Sequence, residues 1–300
     1  MLDGILLIDK PAGFTSFDVI AKLRGMTRTK KIGHAGTLDP MATGVLPVFF
    51  GRAAKAVDLL PSHDKAYIAG FKLGSATDTQ DITGRILYEK NHSVTAREVE
   101  DALSSFTGGI LQTPPMYSAV RVNGKRLYDL ARSGREIERK PRNVIIYELR
   151  LLESDEASGV YSIFLKCSGG TYVRTLCHDL GERLGCGAVM TSLRRTMACG
   201  YELKDCITLE TAEERTASGA LKLLPVSSVF SDLPELVLNE SQAHHFLNGI
   251  QLGLDQFSGV PKVERIRAVD GGGRFLGLAK ADGLENKLVI VKLFALGEPQ

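Results

Sequence analysis

The chain has no tryptophan, no Cys-x-x-Cys pair and no long apolar run, and each absence removes a class of protein. A membrane-crossing helix needs about 20 consecutive apolar residues, so no membrane span is expected. Cys167, Cys177, Cys186, Cys199 and Cys206 are odd in number and scattered, which supports neither a disulfide framework nor a zinc site. They are expected to be reduced core thiols, and no metal is expected. The opening Met1-Leu2-Asp3-Gly4 lacks a basic leader, so a cytoplasmic location is expected. Charge of one sign is scarce too. With 37 Lys+Arg against 35 Asp+Glu, a net charge of +2 does not by itself announce nucleic acid.

What is present is a 300-residue chain, 44% hydrophobic, enough for one large domain and a small one. The charge is uneven. Residues 1–231 carry 30 bases and 26 acids, whereas residues 232–300 carry 7 and 9. Lys22, Arg24, Arg28, Lys30 and Lys31 follow one another without an intervening acid, and residues 120–150 hold nine bases and four acids. Such local excess suits phosphate contacts as well as an ordinary solvated face.

The basic run leads into Gly33-His34-Ala35-Gly36-Thr37-Leu38-Asp39-Pro40-Met41-Ala42-Thr43-Gly44. Three glycines and a proline in twelve residues exclude a regular helix. Pro40 restricts the backbone of Asp39, so its carboxylate stands on a stiff support between apolar neighbours. Turn chemistry of this kind is common and most of it is not catalytic.

Along the chain, Gly4–Asp9 reads as a buried strand and Lys10-Pro11-Ala12-Gly13 as a turn. Thr15 with Asp18 forms a capping box for a helix with an apolar face at Val19, Ile20 and Leu23. Residues 65–73 read as a strand and residues 77–84 as a turn, whose Asp78 and Asp81 lack the alternating ligands of a calcium loop. Thr95 and Glu98 cap a second helix. Asn123-Gly124 is a two-residue hairpin signal, followed by a short basic helix from Lys125 to Arg132. Residues 144–152 and 160–167 alternate as a paired ribbon and lead to Gly169-Gly170-Thr171-Tyr172-Val173-Arg174 and a helix. Residues 225–234 read as a linker. Beyond them, Gly271-Gly272-Gly273 joins a hairpin and not a phosphate loop, since no Gly-Lys-Ser/Thr accompanies it.

The run from Gly33 to Gly44 resembles the signature loop of the TruB family of tRNA pseudouridine synthases, G-H-x-G-T-L-D-P-x-A-x-G, and Gly-Thr-Tyr-Val-Arg resembles the family's second signature. The resemblance covers nearly the whole chain. It implies an α+β pseudouridine synthase fold around a mixed, mainly antiparallel sheet. It also implies two domains: a catalytic one at 1–231 with a thumb-like RNA-binding insert at about 116–142, and a β-rich PUA-type RNA-binding domain at 232–300. It places the catalytic nucleophile on Asp39, with Arg174 pairing that aspartate and Tyr67 stacking on the target base. His34 would displace the base, while Tyr172 and Leu193 contact it. Lys10 lies in the family's Lys-Pro pair, and Arg121, Lys125, Arg126 and Arg132 are candidates for the RNA backbone.

The implied activity is isomerisation of uridine 55 in the tRNA T-loop to pseudouridine, by a monomer without metal or organic cofactor. Detaching uracil from C1′ and rejoining it through C5 calls for a group that can assist cleavage or form an adduct, and a carboxylate can do either. The runner-up is a non-catalytic tRNA-binding or folding module. An aspartyl phosphotransferase is a weaker third, because Asp39 has no Asp two residues on. Every chemical signature precedes residue 232, so the tail is expected to add binding and not chemistry.

Overall fold

The apolar run Gly4–Lys10 forms β1 and is buried along nearly its whole length, since both of its faces are covered. The computed structural model describes residues 2–118, 120–122 and 124–295, without the side chains of Arg121, Lys125, Arg126 and Arg132. The Thr15–Asp18 capping box starts α1 (Ser16–Thr27), which runs past Gly25 and stops at Arg28 in the left-handed region. Then come β2 (Ile32–His34) and β3 (Thr43–Phe50), with the glycine-rich loop between them. A 3₁₀ stretch, Gly51–Leu59, leads to β4 (Lys65–Leu73), β5 (Ser75–Thr77) and β6 (Ile86–Glu89). After α2 (Ala96–Ser104) and β7 (Gly108–Gln112), the hairpin of β8 (Arg121–Val122) and β9 (Lys125–Arg126) precedes α3 (Leu127–Arg132). The helix expected from Lys125 therefore starts two residues later, because the hairpin takes Lys125 and Arg126. Asn123 of the turn lies outside the described residues.

The expected ribbon is β10 (Arg142–Asp155) against β11 (Val160–Cys167), followed by α4 (Val173–Arg183), β12 (Ala188–Ala198), β13 (Tyr201–Glu202) and α5 (Leu209–Ala217). The large sheet runs β1-β3-β12-β4-β11-β10-β7, with β2 on β3 and β13 on β12. Its ladders are antiparallel except where β12 meets β3, at Arg194↔Thr43 and Arg195↔Gly44. That junction joins the two halves of the sheet beside the end of the glycine-rich loop. Leu176 and Leu180 of α4 pack with Phe71, Tyr161, Leu165 and Met190 on one sheet face. Val19, Ile20 and Leu23 of α1 and Leu209 of α5 cover Leu6, Ile8 and Val48.

The C-terminal part holds β14 (Glu235–Leu238), α6 (Glu240–Leu247), β15 (Leu252–Gly253), β16 (Ile266–Asp270), β17 (Phe275–Asp282) and β18 (Lys287–Leu293) in a second sheet of order β14-β16-β17-β18-β15. The segment expected to be a linker is packed. Just before it, Leu224 exchanges both backbone hydrogen bonds with Ile5 at 2.8 Å, and within it Phe230 is fully buried. Phe230, Leu278 and Phe294 share one cluster with Ile5, Leu7 and Phe49, so the small β-rich domain closes the second face of β1.

Candidate active site

Asp39 is held by contacts that sequence spacing does not reveal. Ser16, the first residue of α1, receives a hydrogen bond from Leu38 N at 2.9 Å. Gly13 N donates to Pro40 O at 2.8 Å, and Ala42 N to Asp39 O at 3.0 Å. Leu38 and Ala42 enter the core on either side. Gly44 has φ +105°, and a side chain there would bring Cβ within 2.1 Å of Arg195 O, so close approach to β12 requires glycine. The loop thus presents one carboxylate on a backbone pinned at three points.

A cavity of about 270 Å³ opens in front of it, walled by Asp39, Tyr67, Tyr172, Arg174 and Leu193 together with Lys65, Ser118 and Thr171. The structure therefore brings together five of the residues singled out in the sequence, from β4, the start of α4, β12 and the loop. Tyr67 is buried on the inner face of β4, and Leu193 sits on β12 opposite Ala69. Tyr172 is the residue before α4. Its backbone is clamped by Gln112, which accepts from Tyr172 N at 2.7 Å and donates to Tyr172 O at 2.9 Å.

Arg174 is buried and meets Asp39 Oδ2 through Nε at 2.9 Å. Its other two nitrogens donate to Thr79 O at 3.0 Å and Tyr117 O at 2.8 Å. The contact with Asp39 is thus single-point, and the fork of the guanidinium is spent on two backbone segments. Asp81, read from sequence as a turn residue, is also part of this site. Its Oδ1 accepts from Thr79 Oγ1, Thr83 N and Thr83 Oγ1, while Oδ2 stands 3.7 Å from Arg174 Nη1. The only sequence signal for Asp81 was its place in a polar turn. The pairing spans 93 residues of chain and leaves no local pattern.

Desolvation raises the pKa of Asp39, opposed by the charge and hydrogen bond of Arg174 and the charge of Lys10, while Asp81 pushes it further up. Burial pushes the Tyr67 phenol up to about 12, against a lowering influence from Arg195. The Tyr67 phenol is therefore neutral at physiological pH.

One expected role changes, that of Lys10. Lys10 is fully buried, and its ammonium donates to Pro11 O at 2.8 Å, Phe14 O at 2.6 Å and Pro40 O at 3.4 Å. An enclosed ammonium is not available to an RNA phosphate; Lys10 braces the Asp39 loop instead. His34 closes β2 opposite Val48 and does not line the cavity, and burial followed by the charge of Arg195 lowers its pKa. The side chains of Arg121, Lys125, Arg126 and Arg132 lie outside the described residues. Among the described residues, no group of three or more His, Cys, Asp or Glu could hold a metal ion, and no helix is long and apolar enough to cross a membrane.

Solved structures share this architecture. A chain of an H/ACA RNP bound to a substrate RNA containing 2'-deoxyuridine matches with TM-score 0.74 at 22% identity, covering 98% of this chain and 86% of its own length. A chain of a Cbf5-Nop10-Gar1 complex matches with TM-score 0.74 at 24% identity and the same coverage. This chain therefore has the fold of these two solved chains. Residues 24–173 match the family model described as TruB family pseudouridylate synthase (N terminal domain), and residues 174–225 match that of the tRNA pseudouridylate synthase B C-terminal domain. The tRNA pseudouridine synthase B of Stutzerimonas stutzeri is 43% identical over 93% of this chain and 92% of its own length. That of Syntrophomonas wolfei is 39% identical over 99% and 100%. The chain belongs to the TruB family of pseudouridylate synthases.

Proposed function

We propose that this chain is a tRNA pseudouridine synthase that isomerises uridine 55 of the T-loop, with Asp39 as the catalytic carboxylate. The tRNA substrate is supported by the names of the relatives similar over nearly its full length. One observation carries the role of Asp39: its carboxylate stands at a cavity walled by Tyr67, Tyr172 and Leu193, with Arg174 Nε at 2.9 Å.

The reaction breaks the C1′–N1 bond, turns the uracil and forms C1′–C5; the C5 proton leaves and N1 regains one. A uridine must first leave its stack, at a cost of about a few kcal/mol. Tyr67, Tyr172 and Leu193 supply flat and apolar surface for the extruded base, and His34 at the loop's entry fits the displacing role. Ionised Asp39 then assists cleavage at C1′ or bonds to the sugar or the base, and Arg174 keeps it ionised and aimed. The basic hairpin β8–β9 with α3, together with the β-rich C-terminal domain, is assigned to the RNA backbone.

The test is tritium release from C5-tritiated uridine in tRNA transcripts. Wild type should release tritium from a normal transcript and not from one with cytidine at position 55. Asp39→Asn should show no release while binding tRNA within about threefold of wild type. Release by folded Asp39→Asn would remove the chemical role from this loop and move the non-catalytic tRNA-binding reading to first place.

A further inference from the structure

Arg195 is fully buried on β12, yet no carboxylate lies within ion-pairing distance of it among the described residues. An enclosed guanidinium without a counter-charge is costly, and a well-packed apolar residue would serve a purely structural purpose better. Its bonds are specific. Nε donates to Val45 O at 2.7 Å and Nη2 to Gly36 O at 3.0 Å, so one side chain ties together the two ends of the segment that carries Asp39. Nη1 is buried with no hydrogen-bond partner. On the β4 side, Arg195 stands in register opposite Tyr67, and on the β3 side opposite Gly44. A side chain at Gly36 would bring Cβ within 3.3 Å of Nη1, so the loop passes directly over the guanidinium.

The charge of Arg195 reaches the surrounding groups. Besides Arg195, the charged or titratable groups acting on the Tyr67 phenol are Cys167 and Asp39. Arg195 also acts on His34 at the loop's entry, on Lys10 beneath Pro40, and on Lys65 at the cavity wall. It does not itself line the cavity.

We infer that Arg195 is the positioning residue of this site, tying Gly36 to Val45 so that Asp39 is fixed and holding the Tyr67 phenol against its guanidinium, with no contact to substrate. Tyr67 then faces the base with its hydroxyl oriented from behind, and the adjacent cation offsets part of the burial that disfavours its phenolate. The inference rests on the reading of Asp39 and Tyr67 as the reacting site.

The test uses the full chain. Arg195→Lys keeps a charge but cannot reach both carbonyls and the phenol, so pseudouridine formation should slow by about tenfold or more, with tRNA affinity within about threefold. In a Tyr67→Phe background the same change should cost clearly less, because the two act as a unit. A second readout needs no RNA. With fluorinated tyrosine, whose phenol is more acidic, the ¹⁹F signal of Tyr67 should titrate at higher pH in Arg195→Met than in wild type, by about half a unit or more. Should Arg195→Met not fold, Arg195→Lys carries this measurement, with a smaller upward shift expected. An unmoved Tyr67 titration in folded variant, or a rate loss fully additive with Tyr67→Phe, would overturn the inference and leave Arg195 a fold residue. Because the titration is read on free protein, it stands apart from any failure of the proposed tRNA activity.

Discussion

At the scale of the residue, the site is one carboxylate held above its ordinary pKa by desolvation and pulled back by Arg174. The rate should therefore fall with decreasing pH as Asp39 takes up a proton, at a higher pH than for an exposed aspartate. Arg174→Lys should lower the rate by about two orders of magnitude and move that acid limb further up. The reason differs from a lost fork on the carboxylate: an ammonium cannot serve Asp39, Thr79 O and Tyr117 O at once. A pH–rate profile for the two proteins checks it, and an unmoved acid limb would separate Arg174 from the ionisation of Asp39. Asp39, Tyr172 and Arg174 sit in ordered motifs of the sequence, whereas Tyr67 and Leu193 were singled out only through the resemblance to the TruB family. Asp81, Gln112 and Arg195 were not legible in the sequence. Each acts through a partner at least 60 residues away, and no local spacing encodes that.

At the scale of the element, what was legible is what is local. The Thr15–Asp18 and Thr95–Glu98 boxes, the β8–β9 hairpin and the β10–β11 ribbon follow from residues within a turn or two of one another. Lys10 shows the limit, since its position after an apolar strand suggests a solvated turn while the structure encloses it under Pro40. Burial, followed by opposing attraction from Asp39 and further lowering by Arg195, brings its pKa down to about 8. The sign of the consequence is fixed by linkage. Between about pH 8 and the unfolded value near 10.5, the unfolded chain binds more protons at this residue than the native one, so its contribution to stability rises with pH. Below pH 8 both states are protonated and the contribution is flat. In urea unfolding, wild type should gain stability relative to Lys10→Met as pH rises from 8 to 10. A difference between the two that stays constant over that range would mean an unshifted amine.

At the scale of the whole molecule, the β-hairpin pattern of the tail could be read from its glycines, but its docking could not. The cluster that joins Ile5, Leu7 and Phe49 to Phe230, Leu278 and Phe294 draws on positions almost 290 residues apart. The family matches meet at residues 173 and 174, yet β12 lies between β3 and β4, so both matched regions build one sheet and neither closes a core alone. The same reasoning changes what the tail is expected to do. Removing residues 232–300 would strip Leu278 and Phe294, with the half-buried Phe275 and Val291, from the face of β1. Burial of such a side chain contributes about 1.5–3 kcal/mol, and a domain's net stability is only about 5–15 kcal/mol. The truncated chain should therefore melt at least about 10 °C lower or aggregate, and lose turnover even on an isolated T-arm hairpin, although every catalytic group remains. Phe294→Ala in the full chain should lower stability by about 3–5 kcal/mol while leaving the rate of the folded fraction near wild type. Thermal unfolding followed by circular dichroism, with hairpin turnover measured well below each midpoint, distinguishes loss of fold from loss of chemistry. A truncated protein with wild-type melting and wild-type hairpin turnover would make the tail an appended binding module after all, and the packing of Phe230 against Phe294 incidental to the catalytic domain.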